Sequence, residues 1–180
     1  MMSMKKSMKS KDVLRYAFKK KNVFLVSRKM VLPTGMKITK DLVIHPGAAL
    51  IVPFLSKDKV VILRQYRSTF GQYLYEFPAG TLEPNEKPSA CARREIMEEA
   101  GYRAGKLTKV GLIYPVPGYS DEIIYIFKAE NLRPQKEQGD ADEVIEPIIV
   151  SRLGLQKLFK AGKIIDAKTI AGMAFCGLLC

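Results

Sequence analysis

Apolar residues fall in short runs along this chain, and glycine, proline or charged breaks separate them. Val23-Phe24-Leu25-Val26 and Met30-Val31-Leu32 read as strand, Pro33-Thr34-Gly35 as a turn, and residues 36–44 as the returning strand. The pattern predicts an N-terminal β hairpin or meander, which Pro46-Gly47 ends. Residues 48–54 form an apolar run suited to a buried strand. Lys57-Asp58-Lys59 then turns the chain into a second β-rich run at 60–66. A short strand at 74–77 closes on Pro78, and further strands are expected at 107–114, 122–128 and 144–150. Helical signals lie elsewhere. Pro88 opens a helix that Gly101 stops, Ser151 caps one over 153–161, and Asp166 caps one over 167–179. Strands outnumber helices, which predicts an α+β fold. No internal repeat or linker interrupts residues 20–180, so 21–180 reads as a single domain.

Composition adds few exclusions, and charge adds a location. With 180 residues, 47% hydrophobic and 27% charged, the chain matches ordinary globular proteins. No apolar run reaches the roughly 18–20 residues that span a bilayer, and the start lacks the apolar segment of a secretory signal. Cys91, Cys176 and Cys180 do not make a disulfide framework, so a cytoplasmic location is expected. His45 has no His or Cys companion for a zinc site. Cys91 reads as helix packing. The net charge of +12 is concentrated at one end: residues 1–40 hold twelve Lys/Arg against Asp12 alone, and the remainder holds 18 against 17 acids. Residues 1–20 are therefore read as a basic, partly disordered segment. Nucleic acid is a conceivable partner for it but is not favoured, since no aromatics interleave its first fifteen residues.

The chemistry is concentrated in the helix that begins at Pro88. Glu95, Glu98 and Glu99 are spaced i, i+3 and i+4, which puts three carboxylates on one helical face. A solvated acidic face is the ordinary outcome of such a cluster. A divalent cation would turn the repulsion into ligation, and oxygen-only donors suit Mg²⁺, with Mn²⁺ as a substitute. The wider spacing runs Gly80, five residues, Glu86, seven residues, then Arg94-Glu95-Ile96-Met97-Glu98-Glu99-Ala100-Gly101. It resembles the Nudix box at every fixed position, and departs only at Tyr102, where an aliphatic residue is usual.

That resemblance implies an α/β/α sandwich around a mixed sheet, and hydrolysis of nucleoside diphosphates linked to another moiety. Glu95, Glu98 and Glu99 are expected as metal ligands, and the resemblance adds the carbonyl of Ala79. Gly80 would let the backbone swing so that this carbonyl faces the helix. Arg94, turned about 100° from Glu95, is expected as an orienting partner, and Glu86 would either brace it or contact the metal through water. The segments 61–67 and Tyr75-Glu76-Phe77-Pro78-Ala79-Gly80, with Pro117-Gly118-Tyr119-Ser120, resemble the ADP-ribose and nucleoside diphosphate sugar pyrophosphatase branch. Arg67 then becomes the candidate to hold the diphosphate, bidentately. Arg64 reads as strand-edge charge. Glu76 would contact the ribose or brace the site, and Pro117 and Ser120 would line the substrate pocket.

The branch places its general base in the loop before the last strand. Here Glu143 is the first choice, with Asp142 and Asp140 behind it. The resemblance also implies a homodimer that exchanges its N-terminal strands, with residues 21–45 at the interface. Two alternatives remain at this point. One is a Nudix-fold regulator that binds nucleotide or nucleic acid without cleaving it; the other is a hydrolase of dinucleoside polyphosphates or capped RNA.

Overall fold

The computed structural model describes residues 9, 12–18, 22–139 and 143–179. Strands β1 (Asp12–Phe18), β2 (Val23–Val31) and β3 (Lys37–Ile44) form an antiparallel sheet in that order. The second sheet is built on β4 (Ala48–Ser56), β5 (Lys59–Arg67), β8 (Tyr102–Ile113), β9 (Ile124–Pro134) and β10 (Ile145–Ser151). Its order is β10-β5-β4-β9-β8, with β6 (Gln72–Glu76) added to β5 and β7 (Ala79–Thr81) added to β4. β4 runs parallel to β9 and antiparallel to β5 and β7, so the sheet is mixed. Three helices complete the order: α1 (Pro88–Ala100), α2 (Arg152–Lys160) and α3 (Ala167–Phe175).

Side-chain alternation on β4 and β5 makes the layers. Ala48, Leu50 and Val52, with Val60 and Ile62, point to one face, where Leu155 of α2 and Met173 of α3 cover them. Ala49 and Ile51, with Val61 and Leu63, point to the other, where Cys91, Ala92, Ile96 and Ala100 of α1 close the core. Both strands are buried on both faces, which is why they read as continuous apolar runs. The result is an α/β/α sandwich around a mixed sheet, as expected. A third small cluster, Phe24, Val26 and Ile44, sits in the N-terminal sheet.

Helix ends follow the predicted chemistry. The Ser151 hydroxyl accepts from the Gly154 N–H at 3.0 Å, and the Asp166 carboxylate accepts from Thr169 N–H at 2.9 Å. Gly101 takes the left-handed conformation, φ 76°, and its N–H donates to the Ile96 carbonyl. Other boundaries differ from expectation. α3 stops at Phe175, ahead of the left-handed Gly177, and not at 179. β8 starts directly after Gly101, because Tyr102 already pairs with Pro134 of β9.

Two strands lie where none is expected. β7 carries Ala79 and Gly80, read as loop from sequence, onto β4 through the pairs Leu50↔Ala79 and Ala49↔Gly80. β1 lies within the segment read as basic and partly disordered. Its pairing is fixed from the side: Asp12 receives Arg28 Nε and Nη2 at 2.6 and 2.8 Å, and Arg15 Nε donates to Ser27 at 2.8 Å. The two sheets are tied where Val43 N–H donates to the Tyr119 carbonyl and His45 N–H to the Asp121 carboxylate, both at 2.8 Å.

Gly172 lets α3 approach the sheet. A Cβ there would stand 3.0 Å from Leu50, 3.1 Å from Val52 and 3.2 Å from Phe77. Gly172→Val is expected to lower stability by about 1–3 kcal/mol through overpacking. Urea denaturation of the two proteins checks this, and an unchanged midpoint goes against it.

Candidate active site

α1 is fixed to the sheet by its apolar stripe, and this turns the next face of the helix toward β7. Glu95 and Glu99 are consequently 8% and 7% exposed, and Glu98 is half-buried. Glu99 Oε2 accepts from the Ala79 N–H at 2.8 Å. Gly80 is needed for space: a Cβ built there would lie 1.6 Å from Glu95 Oε1. Its backbone is not in the left-handed region, so what the position requires of glycine is the missing side chain, which clears room for the carboxylate.

Arg94 is the hub. Its Nε and Nη2 donate to the two oxygens of Glu86, each at 3.1 Å. Nη1 donates to Glu95 at 2.6 Å and to Glu98 at 3.0 Å, and Nη2 reaches the Thr81 carbonyl at 3.4 Å. The helical angle alone separates Arg94 from Glu95, but the long side chain curls back to both glutamates. Glu86 braces Arg94, one of the two roles the pattern allows it.

Burial sets the electrostatics. Desolvation pushes Glu95 up to about 7, and the charges of Glu98 and Glu143 add to it against the pull of Arg94. Desolvation, then Glu95, raises Glu99 well above the carboxylate range. Burial also acts on Glu86 and Arg94, but their mutual pairing outweighs it, so Glu86 is lowered and Arg94 held protonated. Cys91 is pushed up to about 12 by burial and by Glu95 and Glu86. It stays a neutral thiol that donates to the Gly80 carbonyl at 3.4 Å, as its reading as packing implies.

Among the described residues, no three acidic, histidine or cysteine side chains converge on one point in the way a metal requires. One oxygen each of Glu95 and Glu98 is turned to Arg94, and one of Glu99 to Ala79. The donor set nonetheless fits a hard dication. Three carboxylates, Glu86, Glu95 and Glu98, meet the single guanidinium of Arg94, Glu99 stands beside them on the Ala79 N–H, and every candidate donor is oxygen.

Arg67 is held differently from the expectation. Its Nε and Nη2 donate to Glu76 Oε1 and Oε2, each at 2.7 Å, so the side-on fork is occupied by protein. The end-on edge, Nη1 with the outer N–H of Nη2, takes no part in that pair. Arg67 and Glu99 act on each other through charge, each favouring the ionised form of the other. Glu76 is 1% exposed; its burial is outweighed by Arg67 and Lys168, and its pKa is lowered. Both of its oxygens are engaged by protein cations, the arrangement of the bracing role. Lys168, which also contacts Glu76 Oε2 and lies 3.0 Å from Asp166, has no signal in the sequence pattern.

Glu143 is exposed and close enough to Glu95 and Glu99 to raise both. Asp140 and Asp142 lie outside the described residues. Pro117 and Ser120 lie in the loop between β8 and β9. The Ser120 hydroxyl accepts from Glu122 N–H at 3.2 Å, and this loop's backbone bonds to the sheets run to Val43 of β3 and Ala48 of β4. His45 Nδ1 accepts from Gly47 N–H at 3.0 Å, serving a turn as expected.

A NUDIX domain profile matches residues 44–171. The chain is 34% identical over 176 residues to the ADP-ribose pyrophosphatase of Bacillus subtilis, covering 96% of this chain and 95% of that one. It is 31% identical to the methanol dehydrogenase activator of Bacillus methanolicus, with 82% and 80% covered. It is 35% identical to a GDP-mannose pyrophosphatase of Shigella flexneri, with 69% of each covered. A crystal structure of an ADP compounds hydrolase superposes with a TM-score of 0.77 over 94% of each chain, at 20% identity, and is similar in fold.

The raised carboxyls predict a pH dependence. The folded chain binds the Glu95 proton more tightly than the unfolded chain, so stability in EDTA falls as pH rises from 4.5 through about 7. The loss assigned to Glu95 is of order 1–3 kcal/mol, discounted for relaxation of a partly buried group. Asp12, Glu76 and Glu86 are lowered and act in the opposite sense, as pH falls below the usual carboxylate range. Urea denaturation at pH 5 and pH 8 should show the slope, reduced in Glu95→Gln. Equal stabilities at both pH values in the unaltered chain would count against it.

Proposed function

The chain belongs to the NUDIX family, and we propose that it hydrolyses the pyrophosphate bond of ADP-ribose or another nucleoside diphosphate sugar with the help of Mg²⁺. The observation that carries this reading is the concentration of carboxylates on α1, two of them buried, against the single guanidinium of Arg94. Glu95, Glu98, Glu99 and the Ala79 carbonyl would hold the ion, with Mn²⁺ as a substitute. When bound, the ion supplies neutralisation of the diphosphate charge and lowers the pKa of the attacking water.

The side chains supply the rest. Arg67 offers its end-on edge to a phosphate oxygen, and Glu76 fixes the direction of that edge. Glu143 accepts the proton of the water that attacks phosphorus. The P–O–P bridge breaks, and a nucleoside monophosphate and a sugar phosphate leave. Pro117 and Ser120 belong to the substrate-shaping loop, which is anchored on β3. Arg94 orients Glu95 and Glu98.

A homodimer built through the N-terminal strands fits the surface of that sheet, where Val13, Leu14, Tyr16, Val31 and Met36 are exposed. Free thiols at Cys91 and Cys176 fit a cytoplasmic location. No helix among the described residues is long and apolar enough to cross a membrane. A regulator that binds without cleaving is the weaker reading, because Glu95, Glu98 and Glu99 are all present.

With Mg²⁺, turnover is expected on at least one of ADP-ribose, GDP-mannose and UDP-glucose, ahead of a diadenosine polyphosphate and capped RNA. Removing the dication should abolish it. Silence across the panel, together with salt-sensitive RNA binding, would favour the regulator. Glu143→Gln is expected to lower turnover about 10²–10⁴-fold, the range for a lost general base. A rate close to that of the unaltered chain moves the role away from Glu143.

A further inference from the structure

The first turn of α3 reaches across to the strand that feeds the site. The Phe77 N–H donates to the Thr169 hydroxyl at 2.9 Å, and Thr169 is fully buried. One residue earlier on each side, Lys168 Nζ meets Glu76 Oε2. Asp166 serves both contacts, since it accepts from the Thr169 N–H at 2.9 Å and lies 3.0 Å from Lys168 Nζ. Two residues beyond Phe77, the Ala79 N–H binds Glu99. α3, on the face of the sheet opposite α1, is thus joined to the catalytic cluster through four residues of chain.

Glu76 is enclosed, and both its oxygens are engaged: Oε1 by Arg67 Nε, Oε2 by Arg67 Nη2 and by Lys168. A buried carboxylate with one cation partner holds that cation tightly and spends its charge locally. A second cation on the same carboxylate shares that load. It also fixes the plane of the carboxylate, and hence the direction in which the guanidinium's remaining edge points.

We infer that Lys168 is a positioning residue: by sharing Glu76 it keeps the end-on edge of Arg67 directed at the diphosphate beside Glu99. This deepens the proposed hydrolase reading and rests on it. Lys168 acts through Glu76 and Arg67 and does not itself touch substrate. Its charge is half-sheltered, with the side chain 19% exposed, and Asp166 holds it from behind.

The test is a double-mutant cycle of Lys168→Met with Arg67→Ala, read as kcat/KM on the best sugar substrate and as pyrophosphate affinity by calorimetry with Mg²⁺. Lys168→Met alone is expected to lower both about tenfold, the effect of one lost charge-assisted hydrogen bond. Lys168→Arg should recover most of this. In the Arg67→Ala background, Lys168→Met should add less than about a twofold loss. Unaltered values in Lys168→Met overturn the inference. So does a full tenfold loss in the Arg67→Ala background, which would mean that Lys168 meets the substrate directly. If Lys168→Met does not fold, Lys168→Gln, which keeps a donor on Glu76 without the charge, carries the same comparison. Absence of turnover by the unaltered chain counts against the proposed activity instead, and pyrophosphate affinity then decides the part of Lys168.

Discussion

Negative charge gathered on one helix and withheld from water is the constraint that the rest of this structure answers. Burying a carboxylate without a partner is costly, and here Glu95 and Glu99 are buried within one turn of each other. The fold meets that cost in three places. Arg94 spans Glu86, Glu95 and Glu98 with three nitrogens, β7 offers the Ala79 N–H to Glu99, and Gly80 leaves its side-chain volume to the Glu95 carboxylate. These compensations are partial, because both carboxyls remain raised. Perturbed carboxyls of this kind collect where chemistry is done.

The sheet makes this possible by doing two jobs with one strand. β4 is buried on both faces, so α1 and α3 are held at fixed positions on opposite sides. Its first three residues also carry β7, which presents Ala79 and Gly80 to α1. The segment from Glu76 to Gly80 is therefore gripped from both directions: Lys168 and Thr169 hold its start, and Glu99 and Cys91 hold its end. This double grip fixes a short piece of chain between rigid layers. That is the condition under which small displacements are prevented.

What could be read from the sequence was what local spacing encodes. Glu95, Glu98 and Glu99 declare a shared face, Gly101 declares a stop, and Ser151 and Asp166 declare starts, because each effect acts within a turn or two. β7 could not be read, since three residues around a glycine become strand only by pairing with Ala48–Leu50. β1 has the same character: its place is fixed by Arg28 and Ser27 on β2, and its own lysine-rich flank suggests solvent. The Arg67–Glu76 pair is harder still. In the β5–β6 register Glu76 stands opposite Leu63 and Arg67 opposite Gln72, so no cross-strand rule would join them. Lys168 is further away again in sequence and enters from a helix on the other face. Residues grouped by local spacing were legible, while those joined across the fold were set by tertiary packing.

The charge distribution gives one more consequence. A diphosphate is itself an anion, so the acidic face of α1 would repel it if nothing else were present. The chain as a whole is strongly basic, with a net charge of +12, and that excess lies in the first 40 residues. Screening confines the influence of exposed charges to about 10 Å at ordinary ionic strength, so a distant lysine draws an anion toward the protein but cannot seat it. Seating requires a cation at contact distance that is not already committed to the acidic cluster. Arg94 is committed there, to three glutamates at once. Arg67 is committed to Glu76 by only one of its edges, and Glu76 in turn has a second cation. Two arginines of equal formal charge are thereby set apart by their neighbours: one is shared among three glutamates, and the other is bound along one edge to a single carboxylate.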